Sequence, residues 1–114
     1  MKMKRIDAII RSSKFNDVAS ALDELGTSFF TFFEVTGYGK RKELSGTYRG
    51  KAYDLDYIRR TKIEIVVEDS KAEEVINTII QHAHTGQIGD GKVFVLDIEQ
   101  AFRIRDKSSG PEAL

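Results

Sequence analysis

The chain has 114 residues and carries 18 basic and 18 acidic side chains, so its formal net charge at neutral pH is zero. This length predicts one domain, 1–114, and the balanced charge argues against nucleic-acid binding, which needs a basic excess. The sequence has no cysteine, no signal-peptide pattern and no apolar run of the roughly 20 residues that cross a bilayer, so we expect a soluble cytoplasmic protein without disulfides, thiol catalysis or membrane insertion.

Hydrophobic periodicity predicts a strand and then a helix at the start of the chain. Apolar residues alternate over residues 4–11, which is typical of a strand with one buried face. A helical pattern follows over about 14–25, with Ser12 or Ser13 in position to cap its first turn. Gly26 stands where a helix C′ glycine belongs.

Residues 28–39 are rich in β-formers and are apolar on both faces. The two faces would carry, respectively, Phe29, Phe33 and Val35, and Phe30 and Phe32. Because a half-buried strand alternates more cleanly than this, we expect one face to pack on the helices and the other to meet a neighbouring subunit. The alternative is a central strand that the same chain covers completely.

A polar stretch over residues 40–57 interrupts the pattern. It is longer than most loops in compact domains, and loops of this length are usually functional or disordered. The stretch contains five basic residues and the tyrosines Tyr48 and Tyr53. We interpret it as an arm that docks onto a partner or is modified, and the alternative is a solvated hairpin tip.

The second half of the chain repeats the order of strand, helix and strand. We predict a strand over 58–67, a helix that begins at the capping box Ser70–Glu73 and ends near His84, and a strand that ends at Leu96. A β-like segment at residues 102–105 and a flexible tail at about 106–114 complete the chain. The order βαββαβ predicts a ferredoxin-like α+β fold, with an antiparallel sheet and both helices on one face.

A glycine-rich stretch lies between the second helix and the last strand. Gly86, Gly89 and Gly91 fall within six residues, and Lys92 follows the third glycine. Free backbone N–H groups in such a loop can surround an anion, so we interpret the stretch as a phosphate-binding loop. The spacing matches neither common phosphate motif, and a glycine-rich turn that leads into a strand is the alternative.

Two other kinds of site are not expected. His82 and His84 lie two positions apart on a helix and point to different sides, which does not suit a metal site. No nucleophile stands beside a base in the pattern that catalysis requires, so we expect no enzyme.

Several motifs together resemble the PII signal-transduction family of nitrogen regulators, over Ile6 to Arg105. They are Glu34–Gly39, Tyr48–Tyr53, Lys62–Val67, Thr85–Val95 and Arg103–Arg105. The resemblance implies a non-catalytic homotrimer that binds ATP or ADP in clefts between subunits, with 2-oxoglutarate held beside ATP through Mg²⁺. It also implies that the arm is a T-loop, about 38–57, which docks onto an ammonium channel at the membrane or onto a metabolic or regulatory enzyme.

The resemblance also implies roles for individual residues. Residues 89–92 would line the phosphates, and Arg103 and Arg105 would reach them from the neighbouring subunit. The spacing of two predicts that both arginines share one strand face, and the alternative for the pair is a solvated strand edge. The full nucleotide-binding set that it implies is Thr31, Gly37, Tyr38, Gly39, Lys40, Glu64, Val66, Gly89, Asp90, Gly91, Lys92, Arg103 and Arg105.

Two substitutions depart from the family pattern at the site for Mg²⁺ and 2-oxoglutarate. Arg41 replaces a glutamine that supplies an oxygen to Mg²⁺, and a guanidinium group only donates hydrogen bonds. Arg60 replaces a lysine, which keeps the charge and changes the geometry. We therefore treat Arg11, Arg41 and Arg60 as candidate contacts for 2-oxoglutarate or another anion, and we expect Mg²⁺-dependent 2-oxoglutarate binding to be weak, absent or differently built. The alternative function is an adenine-nucleotide sensor that has lost this response or answers to another small ligand.

The T-loop contains candidate residues for modification or docking. Tyr53 aligns with the tyrosine that is uridylylated in some members of the family, but its flanking residues differ. Tyr48, Arg49 and Tyr53 are therefore candidates both for docking and for modification.

Overall fold

The computed structural model describes residues 2–27, 29–40, 47–48, 51–52 and 55–114. In these ranges the strands and helices are β1 (Met3–Arg11), α1 (Phe15–Glu24), β2 (Thr31–Lys40), β3 (Thr47–Tyr48), β4 (Lys51–Ala52), β5 (Leu55–Glu68), α2 (Asp69–Ala83) and β6 (Gly91–Ile98). Most of the predicted arm, including Arg41, Arg49 and Tyr53, lies outside the described residues.

The main sheet has four antiparallel strands in the order β2-β5-β1-β6. Ile6 of β1 lies opposite Ile65 of β5 and Val95 of β6, which fixes the register across the three strands. The strand β2 is at the edge of this sheet, so the alternative of a fully covered central strand is wrong. The predicted ferredoxin-like α+β fold is confirmed, and β2 and β5 form the hairpin that carries the arm.

Both helices pack on one face of the sheet and form the core with it. The largest fully buried side chains come from β1, β5, α1 and α2, and they are Ile6, Ile10, Leu22, Ile63, Ile65, Ile79 and Val18. Phe30, just before β2, and Phe32, on β2, both contact Phe15 of α1, and the ring centres of Phe15 and Phe32 are 4.4 Å apart. This arrangement confirms that one face of β2 packs on the helices.

The helix α1 ends as predicted and begins differently. Gly26 has φ +81°, and the Thr27 N–H donates to the Leu22 carbonyl oxygen at 3.2 Å, which is the Schellman geometry that favours glycine. Neither Ser12 nor Ser13 caps the helix, because both lie in a 3₁₀ turn before it. The Ser12 hydroxyl instead accepts a hydrogen bond from the Thr61 hydroxyl at 2.9 Å.

The capping box predicted for α2 is also wrong. The helix begins at Asp69, with Glu68 as its N-cap and without a capping hydrogen bond from a side chain. The Asp69 N–H donates to the Lys2 carbonyl oxygen at 3.0 Å, so the main chain before β1 supplies one of the acceptors that the first turn needs.

The segment after β6 is a hairpin-like turn, where the sequence predicted a β-like stretch over 102–105. Only Phe102 pairs, in an isolated bridge to Ser109, and residues 104–106 form a turn. Residues 106–114, predicted to be a flexible tail, have a defined conformation that ends in a 3₁₀ turn at Gly110–Ala113. We call residues 101–114 the C-terminal hairpin.

The core depends on Ile79, and its neighbour Ile80 provides a matched control. Ile79 is 0% exposed between α2 and the sheet, whereas Ile80 is 48% exposed. We expect Ile79→Ala to lower the free energy of unfolding by about 2–5 kcal/mol, and Ile80→Ala to change it by only about 0.5 kcal/mol. Urea unfolding of both variants measures this, and equal losses would contradict the assignment of the core.

Candidate functional site

The candidate site residues lie mainly on the face of the sheet opposite the helices, which we call the outer face. Strand alternation and register put Thr31, Glu64, Val66 and Lys92 on this face, and Thr31 lies directly opposite Glu64. Arg11 is on the same face at the end of β1. Glu64 and Val66 point away from the core, because the residues that alternate with them on β5, Ile63, Ile65 and Val67, are buried.

The glycine loop between α2 and β6 is closed by one carboxylate. Asp90 accepts hydrogen bonds from the main-chain N–H groups of Thr85 at 2.8 Å and Gly86 at 2.9 Å, and also from the Thr85 hydroxyl. The Gln87 N–H donates to the Thr85 hydroxyl oxygen at 3.1 Å. The first three N–H groups of the loop are therefore engaged within the loop and cannot hold an external anion.

The next part of the loop offers donors. Among the residues that the structure describes, the N–H groups of Ile88 and Gly89 have no acceptor. Lys92 follows with an exposed side chain. A cavity of about 330 Å³ adjoins the loop, lined by Ile9, Ile10, Ile79, Ile80, Ala83, His84, Asp90, Gly91, Lys92 and Val93. The loop therefore combines free donors, a positive charge and adjacent space, which is the chemistry that suits an anionic group.

Arg11 joins this loop to the sheet. Its Nε donates to the Asp90 carboxylate at 3.0 Å, and its Nη2 donates to the Ile88 carbonyl oxygen at 3.0 Å. These contacts link residues that are 79 and 77 positions apart in the chain. The sequence does not reveal this ion pair, because Arg11 and Asp90 become neighbours only through the pairing of β1 with β6.

The hydrogen bonds to Asp90 also change its acidity. They hold its pKa well below the ordinary value of 3.8, with the Thr85 hydroxyl as the largest cause, followed by the Thr85 N–H, with smaller contributions from Arg11 and the Gly86 N–H. All of these donors favour the ionised form. Asp90 therefore remains a carboxylate at every pH at which the protein would work.

Contacts within the chain require glycine at position 91 of the loop. Its φ is +102°, and a Cβ at this position would lie 1.7 Å from the Ile9 carbonyl oxygen. Only glycine permits β6 to begin this close to β1. By contrast, a Cβ on Gly37 of β2 would lie 3.7 Å from the Ile58 carbonyl oxygen, an ordinary contact.

Charged side chains in the middle of the outer face neutralise one another. Asp7 is 6% exposed and accepts two hydrogen bonds from Arg5, at 2.9 and 3.0 Å. The Lys62 Nζ lies 3.8 Å from Asp7 Oδ2 and 3.3 Å from Glu64 Oε2. It also lies 5.7 Å from the centre of the Phe33 ring. The middle of the face is therefore compact, and it carries the exposed apolar side chains Phe33, Phe94 and Leu96.

Arginines concentrate at the glycine-loop end of the outer face. Arg11 and Arg60 are directly opposite each other on β1 and β5, and Val35 lies opposite Arg60 on β2. Arg60 is 7% exposed, and its Nη1 donates to the Arg59 carbonyl oxygen at 3.2 Å. Gly37, Tyr38, Gly39 and Lys40 continue β2 at this same end of the sheet.

The other two predicted arginines lie at the opposite end of the sheet. The C-terminal hairpin follows Ile98, and Pro111 and Leu114 line a cavity together with Glu68 at the end of β5. At about 3.3 Å per residue, the eight residues of β6 separate this region from Gly91 by about 23 Å. The prediction that Arg103 and Arg105 share a strand face is wrong, because this segment is a turn. Within one chain, neither arginine reaches the glycine loop.

Comparison with known proteins gives the family. The family model described as Nitrogen regulatory protein P-II matches residues 3–108. The P-II protein of Azospirillum brasilense is 45% identical over 112 residues, which cover 98% of this chain and 100% of that protein.

Two solved structures have the same fold. The B. subtilis GlnK–ATP complex matches with a TM-score of 0.83 and 33% identity, over 99% of this chain and 98% of that chain. Arabidopsis thaliana PII bound to citrate matches with a TM-score of 0.78 and 35% identity, over 99% and 92%. The chain therefore belongs to the nitrogen regulatory protein P-II family, which defines it as a regulatory protein.

None of the helices in the described part of the chain is long and apolar enough to span a membrane.

Gly91 and Gly26 provide a matched pair for testing the geometry of the loop. Both have positive φ, but nothing lies within 4 Å of a Cβ on Gly26. We expect Gly26→Ala to lower the free energy of unfolding by about 1–2 kcal/mol, the usual cost of the left-handed conformation. Gly91→Ala should cost more, because its Cβ also collides with the main chain of β1. Urea unfolding measures both, and a Gly91→Ala loss no larger than that of Gly26→Ala would contradict the close approach of β6 and β1.

The lowered pKa of Asp90 predicts how stability depends on pH. A carboxyl group whose pKa is lowered by folding stabilises the protein above its unfolded-state pKa, and this contribution is lost as the pH falls. We expect it to be complete at neutral pH and to decline as the pH falls past 3.8. Asp90→Asn should be less stable than the natural chain at pH 7, and the difference should shrink toward pH 3. Urea unfolding across this range is the measurement, and a constant difference would contradict the role of the ionised carboxylate.

Proposed function

We propose that the protein is an adenine-nucleotide-responsive regulator that binds ATP or ADP at the glycine loop. The observation that carries this proposal is the arrangement of residues 85–92. Asp90 engages the first donors of the loop, while Ile88 and Gly89 keep free N–H groups beside the exposed Lys92. Backbone donors and a lysine charge are suited to phosphate oxygens. The matched B. subtilis GlnK structure is an ATP complex, which supports the same ligand class here.

The nucleotide site would be completed by a second copy of the chain. The glycine loop and the two C-terminal arginines lie at opposite ends of β6, so only another copy can bring Arg103 or Arg105 to phosphates held at the loop. The exposed Phe33, Phe94 and Leu96 on the outer face would be buried by such a contact. We propose the homotrimer that the family resemblance implies, with Thr31, Glu64 and Val66 near the adenine.

The output of the regulator would pass through its T-loop. Nucleotide bound near Gly37–Lys40, where β2 ends and the arm begins, would change the conformation of the arm. This change would alter how the arm fits a partner protein. We propose an ammonium channel or a metabolic or regulatory enzyme in the cytoplasm as that partner, with docking or modification at Tyr48, Arg49 and Tyr53. The protein itself would catalyse no reaction.

A second candidate function differs only in the second ligand. Arg11 and Arg60 lie directly opposite each other at the glycine-loop end of the outer face, and a guanidinium group donates hydrogen bonds to anions but cannot supply a ligand to Mg²⁺. Arg11 pairs with Asp90, and Arg60 stands where the family resemblance expects a lysine. With Arg41 in place of the glutamine, this site favours an anion bound without Mg²⁺, so the protein would sense the adenylate balance without Mg²⁺-dependent 2-oxoglutarate.

Isothermal titration with ATP and ADP tests the proposal. We expect both nucleotides to bind, and we expect Lys92→Ala to weaken ATP binding about tenfold or more, since a hydrogen bond to a charged group contributes about 1.5–3 kcal/mol. Lys2→Ala, an exposed lysine before β1 at the end of the sheet far from the glycine loop, is the matched control and should bind normally. The absence of binding heat with either nucleotide would overturn the proposal.

The same titration separates the two candidates for the second ligand. 2-Oxoglutarate is added to the ATP-saturated protein with and without Mg²⁺. Heat that requires both ATP and Mg²⁺ would support the family's usual response and contradict the second candidate. No heat, or heat that does not depend on Mg²⁺, would support the second candidate.

A further inference from the structure

The side chain of Arg103 is held by the C-terminal hairpin of its own chain. Its Nη1 donates to the Asp106 carboxylate at 3.0 Å, and its Nη2 donates to two main-chain oxygens, those of Glu112 at 2.8 Å and Leu114 at 3.3 Å. By contrast, the side chain of Arg105 is 80% exposed, and its Nη2 lies 3.8 Å from Asp106 Oδ2, which is too far for a hydrogen bond. The two arginines that the family resemblance treats alike are therefore in different states.

Asp106, which accepts a hydrogen bond from Arg103, is held in place by further hydrogen bonds. Asp106 accepts hydrogen bonds from the Ser108 hydroxyl at 2.7 Å and from the Ser108 N–H at 3.0 Å. These bonds, together with Arg103, lower the pKa of Asp106 from 3.8 to about 2, so it is ionised at neutral pH. The main chain closes the same turn, because the Arg103 N–H donates to the Ser108 carbonyl oxygen at 2.8 Å.

The donor atoms of Arg103 decide what else it can bind. A guanidinium group grips a phosphate through two parallel N–H groups on one edge, either Nη1 with Nη2 or Nε with Nη2. Both edges include Nη2, and Nη2 already donates to the main-chain oxygens of Glu112 and Leu114. Arg103 therefore cannot make a bidentate contact with a phosphate and keep its contacts with the C-terminal turn at the same time.

We propose that the C-terminal 3₁₀ turn, Gly110–Ala113, is a latch that competes with nucleotide phosphates for the Arg103 guanidinium group. This inference rests on the proposed function and adds regulation to the same site. In the free protein the C-terminal turn accepts the hydrogen bonds of Nη2. Arg105, which is exposed, is then the arginine that contacts the phosphates first. When a second copy presents its nucleotide, Arg103 turns to the phosphates and the latch is released. Nucleotide binding thereby frees a surface segment that lies far along the chain from the T-loop.

Coupling of this kind is reciprocal. If the nucleotide loosens the latch, then loosening the latch must strengthen nucleotide binding by the same factor. Pro111 is the second residue of the 3₁₀ turn, and replacing it with glycine favours the released segment, because glycine gives the free chain more conformations. Pro111→Gly removes no hydrogen bond of the Arg103 side chain, so it alters the latch and leaves the guanidinium group in place.

Hydrogen–deuterium exchange of the natural protein is the direct test. The reporters are the amides of residues 107–114, including Gly110, whose N–H donates to Ala101 at 2.9 Å, and Leu114, whose N–H donates to Pro111 at 3.2 Å. We expect saturating ATP, confirmed by calorimetry on the same sample, to speed up exchange in this peptide and to slow it in the glycine loop. If ATP binds and the C-terminal peptide exchanges at an unchanged or slower rate, the latch is wrong and the proposed function stands. If ATP does not bind, both are overturned.

Calorimetry of two variants and their combination gives a second, independent measurement. We expect Pro111→Gly to raise the affinity for ATP about twofold to fivefold, the range that a change between proline and glycine in a free segment supports. In the Arg103→Ala background the same substitution should leave the affinity unchanged, because no guanidinium group remains to be shared. An equal gain in both backgrounds would mean that Pro111 acts elsewhere, and it would overturn the latch.

Discussion

The glycine loop depends on the carboxylate of Asp90, where four hydrogen bonds converge. Two come from main-chain N–H groups, one from the Thr85 hydroxyl and one from Arg11 at the end of β1. The first three fold the loop on itself, and the fourth attaches it to the sheet. Gly91 then begins β6 directly against the main chain of Ile9. A carboxylate only accepts hydrogen bonds, so Asp90 engages donors of its own loop, and within the described ranges the N–H groups of Ile88 and Gly89 are the ones left without an acceptor.

The charged residues at the centre of the outer face neutralise one another, and this makes the face suited to burial. Asp7, Arg5, Lys62 and Glu64 satisfy one another across β1 and β5. Burying an ion pair costs less when its partners already have their hydrogen bonds than when a charge is left alone. The exposed Phe33, Phe94 and Leu96 lie on the strands to either side of this charged group. A self-neutralised centre with apolar side chains around it suits contact with a second copy better than contact with water.

The sequence was sufficient for the fold because the fold depends on local patterns. Alternation predicted the strands, and Gly26 predicted the end of α1. Several of the features that the sequence did not reveal depend on partners distant in the chain. Lys2 supplies an acceptor at the start of α2, and Thr61 engages Ser12, so neither helix uses the cap that its own sequence offers. Arg11 and Asp90 are 79 residues apart, and only the pairing of β1 with β6 makes them neighbours.

The C-terminal hairpin shows why a motif shared with a family does not fix the state of its residues. A period of two suggests that Arg103 and Arg105 point the same way, but this inference holds only in an extended strand. The turn at residues 104–106 breaks the period and sends the two side chains into different surroundings. Arg103 becomes the centre of a small hydrogen-bonded unit, whereas Arg105 stays in solvent. An arginine that holds its own chain together has to lose those contacts before it can hold a ligand, so under the proposed latch its affinity for phosphate would depend on Glu112 and Leu114 as well as on the nucleotide.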